Sequence, residues 1–462
     1  MNWIKKTTSL ILSIAMLTLT MFVGSFSTTA AENNVSTSGS DDVYTSGTAP
    51  NKSWQGKSLT EIKKMYTDAG GDYQYYDDAI SDKTDLLNAI SAINNDEEKC
   101  MLHILKIAKT DGDTSNAITI DQSITIPSNT YIACYKNINF TDSGKFNING
   151  SSNVAIVGYN EDNSTTKKNI SFNVTSGNAV QIQNNSQNIL FRNFNFTGNN
   201  ISSTNTKKYI SLNNSSKIFV SDVNFDGKAT NGIYANNVSN SVFDSLTSSN
   251  SFGGGTDTSD CAIKLDGCTS KNQITNCTLS YKISEKYVIK LNNTSSCEIK
   301  NCTINGNNTG NGIYISADTT TNTTTKSKNN IITSTEIINC TKRSVAISKS
   351  SSCTLKSCTL KDCAETNIAI SNSDNCITDN CTINNNISTE YAIKLYNTTP
   401  SCSKCNSKKG SKIAVKYLYN GVTGKIGSGI VVRRIVKLLI FLSIICLIFM
   451  LSQILSNYIS LK

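Results

Sequence analysis

The chain has 462 residues, 38% hydrophobic, 7% aromatic and 17% charged, which is lean for a compact globular protein and too weakly charged for a charge-driven disordered polymer. With 1 His and four Arg (Arg192, Arg343, Arg433, Arg434), His-rich metal sites are excluded, and His-based triads and Arg-based nucleic-acid reading are disfavoured. The formal net charge of +9 is unevenly spread: residues 32–390 hold 30 basic and 34 acidic residues, net −4, whereas 11 basic residues and no acidic one follow Glu390.

Residues 1–31 read as a secretory signal of bacterial style. Lys5 and Lys6 precede the apolar run 10–26, and Thr29 and Ala31 supply small residues before a cut ahead of Glu32. An uncleaved N-terminal anchor is the alternative. Residues 32–57 are Ser/Thr/Asn-rich and read as a linker. Residues 58–114 read as an N-terminal cap: short helices over 58–69 and 85–93, then a strand at Met101–Ile107. In the second helix Leu86, Leu87, Ile90 and Ile93 form one apolar stripe. His103 falls in the strand. A general base is its functional reading, and an ordinary strand residue is the favoured one.

From about residue 170 the sequence repeats. Units such as AVQIQNNSQNILFRNFNF, YISLNNSSKIFVSDVNF, AIKLDGCTSKNQITNCTL, VIKLNNTSSCEIKNCTI and SVAISKSSSCTLKSCTL recur every 23 to 32 residues or so. Within each unit apolar and polar residues alternate over three to five positions, which is strand periodicity, and Asn, Ser and Gly clusters supply the turns. Short strands with no helix between them describe coils stacked at strand spacing, about 4.8 Å. The unit NxxIxNCTI followed by GIYI or AIKL resembles the right-handed parallel β-helix repeat of the pectate-lyase-like superfamily. The resemblance implies an all-β fold: a right-handed parallel β-helix (solenoid) over residues 115–405, with a short helical N-terminal cap closing the first sheet edge. It implies no function by itself.

Aligning the coils predicts ladders. Ile263, Ile289 and Ile313 stack on one strand, and Leu279, Ile304, Ile337, Leu360 and Ile383 on another. Cys277, Cys302, Cys358 and Cys381 share one inward position. Cys297, Cys353 and Cys376 share another, where earlier coils carry Ile189 and Ile218. Most of the 16 Cys therefore read as buried apolar filling. Disulfides between neighbouring coils and a metal site at Cys402 and Cys405 are the weaker alternatives. Asn193, Asn276, Asn301 and Asn380 are expected in left-handed turns.

Outward positions of the AIKL strand form a stripe: Gln181, Ser211, Tyr234, Lys264, Lys290, Tyr314, Ala346, Ala369 and Lys394. Lys264, Lys290, Tyr314 and Tyr234 are the candidate substrate-binding residues, because ammonium groups suit uronate carboxylates and aromatic faces suit sugar rings. A solvated strand face is the plain alternative. Asp257, Asp260 and Asp266, with Asp244 nearby, form an acidic cluster beside Gly253. It reads first as a turn, and as a calcium site only if the chain is a calcium-assisted lyase with Lys264 or Lys290 as base. The catalytic Arg and Asp–His motifs of pectate lyases, the acidic pairs and His–Gly motif of polygalacturonase-like hydrolases and the Asp–Pro–His motif of alginate epimerases are all missing. No cofactor is expected otherwise.

Residues 406–437 form a basic neck, and 438–458 read as a transmembrane helix within an uncharged stretch, 438–461. Arg433, Arg434 and Lys437 precede this span, which favours the opposite topology to a cleaved signal. The expected protein is an extracytoplasmic, membrane-anchored cell-surface β-helix that binds acidic polysaccharide or cell-wall polymer, or acts as an adhesin, without nucleic acid. A divergent polyuronate lyase acting by β-elimination and a structural spacer are the alternatives.

Overall fold

The computed structural model describes residues 49–426 other than 51, 97–99, 108–116, 160–169, 199–206, 254–260, 283, 285, 318–326, 385–388, 397–400, 404–405, 409–410 and 420–421. Side chains are described as far as residue 396, with 77–79 and 389–391 excepted as well. The expected signal at 1–31 and transmembrane helix at 438–458 lie outside the described residues, as do Asp257 and Asp260. Among the described residues no helix is long and apolar enough to cross a membrane.

Two helices occupy the stretches read as helical. In α1 (Leu59–Asp68), Ser58 accepts from the Glu61 amide and the Glu61 carboxylate accepts from the Ser58 amide, a reciprocal cap. Its Ile62, Met65 and Tyr66 are buried. In α2 (Lys83–Asn94), Asp82 caps the Asp85 amide, and Leu86, Ile90 and Ile93 join the solenoid interior. The strand β1 (Asp72–Ile80) pairs in parallel with β2 (Met101–Ile107), and β2 pairs with Thr130–Cys134. Strand stacking thus begins within the segment read as a cap. His103 is buried in β2 beside Tyr76 and Asp96.

Each later coil contributes up to three short strands, so three parallel ladders run along the solenoid. The first contains Val180–Gln183, Ile263–Asp266, Tyr287–Asn292, Asn311–Ser316, Arg343–Ser348 and Thr366–Ser371. The second contains Gln273–Thr275, Glu298–Lys300, Ile331–Thr333, Thr354–Lys356 and Ile377–Asp379. The third contains Thr278–Ser280, Thr303–Asn305, Glu336–Cys340, Thr359–Cys363 and Thr382–Asn384. The two aliphatic ladders expected from the sequence stand in register. Asn193, Asn276, Asn301 and Asn380 sit at the corner between the second and third ladders with φ of 64°, 54°, 54° and 50°. There Asn tolerates a left-handed backbone that would strain a branched residue. The pairing continues past residue 405: Thr389–Tyr396 pairs with Ser411–Tyr419.

The outer face of the second ladder is mostly polar in the later coils, with Ile331 and Ile377 exposed among polar residues, but apolar in the first ones, where α1 covers Leu102, Ile104, Tyr131, Ala155 and Leu190. The chain ahead of α1 is pinned there by an amide ladder. The Trp54 amide donates to Asn188 Oδ1 (2.8 Å), Asn188 Nδ2 to Asn153 Oδ1 (2.6 Å), and Asn153 Nδ2 to Asn129 Oδ1 (3.1 Å).

All thirteen described cysteines are buried thiols, and no disulfide joins any of them. Their columns are more mixed than the sequence suggested. Thr335 interrupts the column of Cys277, Cys302, Cys358 and Cys381, and Asn330 stands between Cys297 and Cys353. The buried amide Nδ2 of Asn330 lies 4.0 Å from Cys353 Sγ, so sulfur here also borders a polar corner.

Candidate carbohydrate-binding face

The outward positions of the first ladder form one in-register column: Gln181, Ser211, Tyr234, Lys264, Lys290, Tyr314, Ala346, Ala369, Lys394. The four predicted binding residues are consecutive members of it. Three coil steps of about 4.8 Å place Tyr234 and Tyr314 about 14 Å apart. Each tyrosine follows a Gly two residues earlier, for a steric reason. A Cβ on Gly232 would meet the Phe225 ring at 2.9 Å, and one on Gly312 the Ser344 carbonyl oxygen at 2.2 Å. The GIY motif therefore lets the strand enter the ladder tightly with its ring outward.

The two lysines are not equivalent. Lys264 Nζ lies 3.0 Å from Asp266 Oδ2, and both side chains are mostly buried. Burial alone would lower the Lys264 pKa, but the Asp266 carboxylate outweighs it and the net shift is upward. Lys264 is a locked ammonium, unsuited to abstract a proton. Lys290 has no carboxylate partner among the described residues, and its Nζ lies 6.0 Å from the Tyr314 ring centroid. Tyr314 stacks on Tyr287 at 4.8 Å and 17°. Burial raises the Tyr287 pKa, against the opposing pull of the Arg343 guanidinium beside it. At the other end, Lys208 Nζ sits 3.8 Å over the Tyr234 ring.

Tyr287, Arg343 and Lys208 were missed in the sequence. They flank the alternating core of their strands, and only ring stacking and side-chain reach bring them to the column. Asp266 was read first as part of an Asp- and Gly-rich turn, with calcium as the alternative under the lyase reading. Its oxygens instead engage Lys264 and the Asn292 amide (2.9 Å). Asp244 lies on the second ladder, where Thr275 and Asn276 donate to it. Among the described residues no three His, Cys, Asp or Glu gather to hold a metal ion.

Residues 274–433 match the family described as right handed beta helix region. That stretch carries the later coils of the stacked parallel ladders. No curated protein matches it at a significant level. Among solved structures, the β-helix is similar to PfbA, a surface adhesin of Streptococcus pneumoniae, at 11% identity over 76% of this chain and 93% of that one, with a TM-score of 0.46. It is also similar to the A-module of a mannuronan C-5 epimerase from Azotobacter vinelandii, at 11% identity over 74% and 95%, with a TM-score of 0.36. The catalytic domain of a GH87 alpha-1,3-glucanase, in complex with nigerose, aligns at 12% identity over 74% and 68%, with a TM-score of 0.39. At these values the β-helix inherits no activity from any of them.

Proposed function

We propose that this is an extracytoplasmic surface β-helix that binds acidic polysaccharide along the column Tyr234–Lys264–Lys290–Tyr314, with residues 438–458 as its membrane anchor. One observation carries the reading: the half-exposed Lys290 ammonium, without a carboxylate partner among the described residues, lies in register between a locked Lys264–Asp266 pair and a stacked tyrosine pair. Tyrosine faces supply apolar platforms for pyranose rings, and the ammonium supplies a counter-charge for a carboxylate. The rise per coil, about 4.8 Å, suits a polymer that repeats its charge along the solenoid axis. Residues 32–390 are net negative, so this affinity is a property of the local column and not of overall charge.

The lyase alternative gains nothing here. A proton-abstracting lysine needs a depressed pKa, and Lys264 is shifted the other way. The test is retention on immobilised polygalacturonate. The double variant Lys264→Ala with Lys290→Ala is expected to elute at distinctly lower salt than the unmodified chain. Unchanged elution would reduce the column to a solvated strand face and remove the proposal.

A further inference from the structure

A second cluster lies on a different face, in the coils that precede the clear repeat. Arg192 is in the strand Gln187–Thr197 and points outward from the second ladder, between Val157 and Ser221 of the adjacent coils. It is half-buried. Its Nε is buried and donates to nothing, and among the described residues the guanidinium has neither a carboxylate nor a hydrogen-bond partner. Val157, its partner across the ladder, is two residues from Tyr159, which belongs to a group of tyrosines on this face. The Tyr131 and Tyr159 hydroxyls share a hydrogen bond of 2.6 Å, and the Tyr135 and Tyr159 rings stack at 5.1 Å and 30°. Burial raises the pKa of both hydroxyls, and the nearby Arg192 charge opposes it. Tyr75 borders the cluster, with Lys106 Nζ 4.8 Å from its ring centroid. The covering helix α1 buries Tyr131 and leaves Tyr135 and Tyr159 partly exposed.

A half-buried guanidinium with no partner among the described residues, on the same face as a stacked tyrosine pair, has a specific chemistry. Its planar fork matches a carboxylate through two parallel hydrogen bonds, and a tyrosine face takes the C–H side of a sugar ring. We propose that Arg192, Tyr159 and Tyr135 form a subsite for a carboxylate-bearing sugar, separate from the lysine column and independent of it. Arg192 reads the carboxylate. Tyr135 carries the sugar face, and Tyr159, stacked on it, holds that ring in place.

Titration calorimetry on the full chain tests this with a galacturonic acid hexamer and its methyl ester, in a Lys290→Ala, Tyr314→Ala background that silences the column. The acid is expected to retain measurable binding there. Adding Arg192→Lys keeps the charge but loses the fork, and should weaken the acid about tenfold while leaving the ester unchanged. Adding Tyr135→Leu, at a partly exposed ring, should weaken acid and ester alike. Equal affinity for acid and ester, or no effect of Arg192→Lys, would overturn the subsite, as would loss of all binding in the silenced background. Full binding retained in that background would instead remove the column and leave the subsite standing.

Discussion

The interior of this solenoid is filled in two ways. From the first coils to Tyr281 a nearly continuous file of rings occupies it. Phe172 touches Phe140, Phe191, Phe194 and Phe196 at 4.2–6.0 Å, Phe196 stacks on Tyr209 at 5.1 Å, and Phe252 meets Phe225 at 5.6 Å and Tyr281 at 5.5 Å. Beyond Tyr281 no ring is buried among the described residues, and the same space holds Ile304, Ile337, Leu360 and Ile383 with the thiols of Cys302, Cys340, Cys358 and Cys381. One coil geometry therefore accepts two chemistries. Each ring buries about 150–250 Å² and locks several neighbours at once, whereas a thiol fills a small pocket that neighbouring coils also fill with Thr or Asn. The lysine column spans the junction of the two halves, while the Arg192 cluster lies wholly on the aromatic one.

The comparison is broken most directly at Phe172, which is fully buried. Phe172→Ala is expected to cost about 3–5 kcal/mol in denaturant unfolding, because the file cannot collapse into the space left. A loss nearer 1 kcal/mol would mean that the rings are as loosely coupled as the thiols.

The aromatic half also holds Lys207, which is 1% exposed and whose ammonium donates to the Val174 carbonyl. Burial pulls its pKa from 10.5 down to about 8. The folded state therefore releases this proton before the unfolded chain does, so the Lys207 contribution to stability improves as pH rises from about 8 toward 10.5. Lys207→Met is expected to stabilise the fold at pH 7 by less than the Phe172 loss, with the gain fading toward pH 10.5. A gain that does not change with pH would show that the ammonium is not the costly group.

How much of this was legible in the sequence differs between the halves for a physical reason. From Ala262 onward each coil repeats the same motif, so the register of the lysine column and of the aliphatic ladders follows from alignment alone. Alignment reads positions and not reach, so it grouped Asp266 with an acidic turn and did not foresee its pairing with the lysine two residues earlier. It also chose the repeating cysteines and passed over Thr335 and Asn330 in the same columns. In the first coils the segments 108–116 and 160–169 interrupt the spacing, and Tyr135, Tyr159 and Arg192 never share a motif. Only the ring distance reveals that the two tyrosines meet, and only the strand register brings Arg192 to their face. The two helices were readable because capping and the apolar stripe are local signals.

The smallest expected effect sharpens the other side of the comparison. Cys358 Sγ lies 3.3 Å from the Lys356 carbonyl oxygen two residues back. Thr335, one coil earlier in the same column, donates its hydroxyl to the Thr333 carbonyl oxygen at 2.9 Å, also two residues back. Threonine at 358 inherits an acceptor already in place, and its methyl fits a register where a neighbouring coil accommodates one. Cys358→Thr is therefore expected to change unfolding free energy by less than about 1 kcal/mol, since the buried hydroxyl is satisfied and the volume nearly conserved. The Cys358 and Cys381 thiols occupy adjacent coils, close enough for Cys381 to lower the Cys358 pKa against burial. If Cys358→Thr instead costs as much as Phe172→Ala, the thiol pair itself stabilises the later coils, and the division between an aromatic half that locks and a thiol half that merely fills would have to be abandoned.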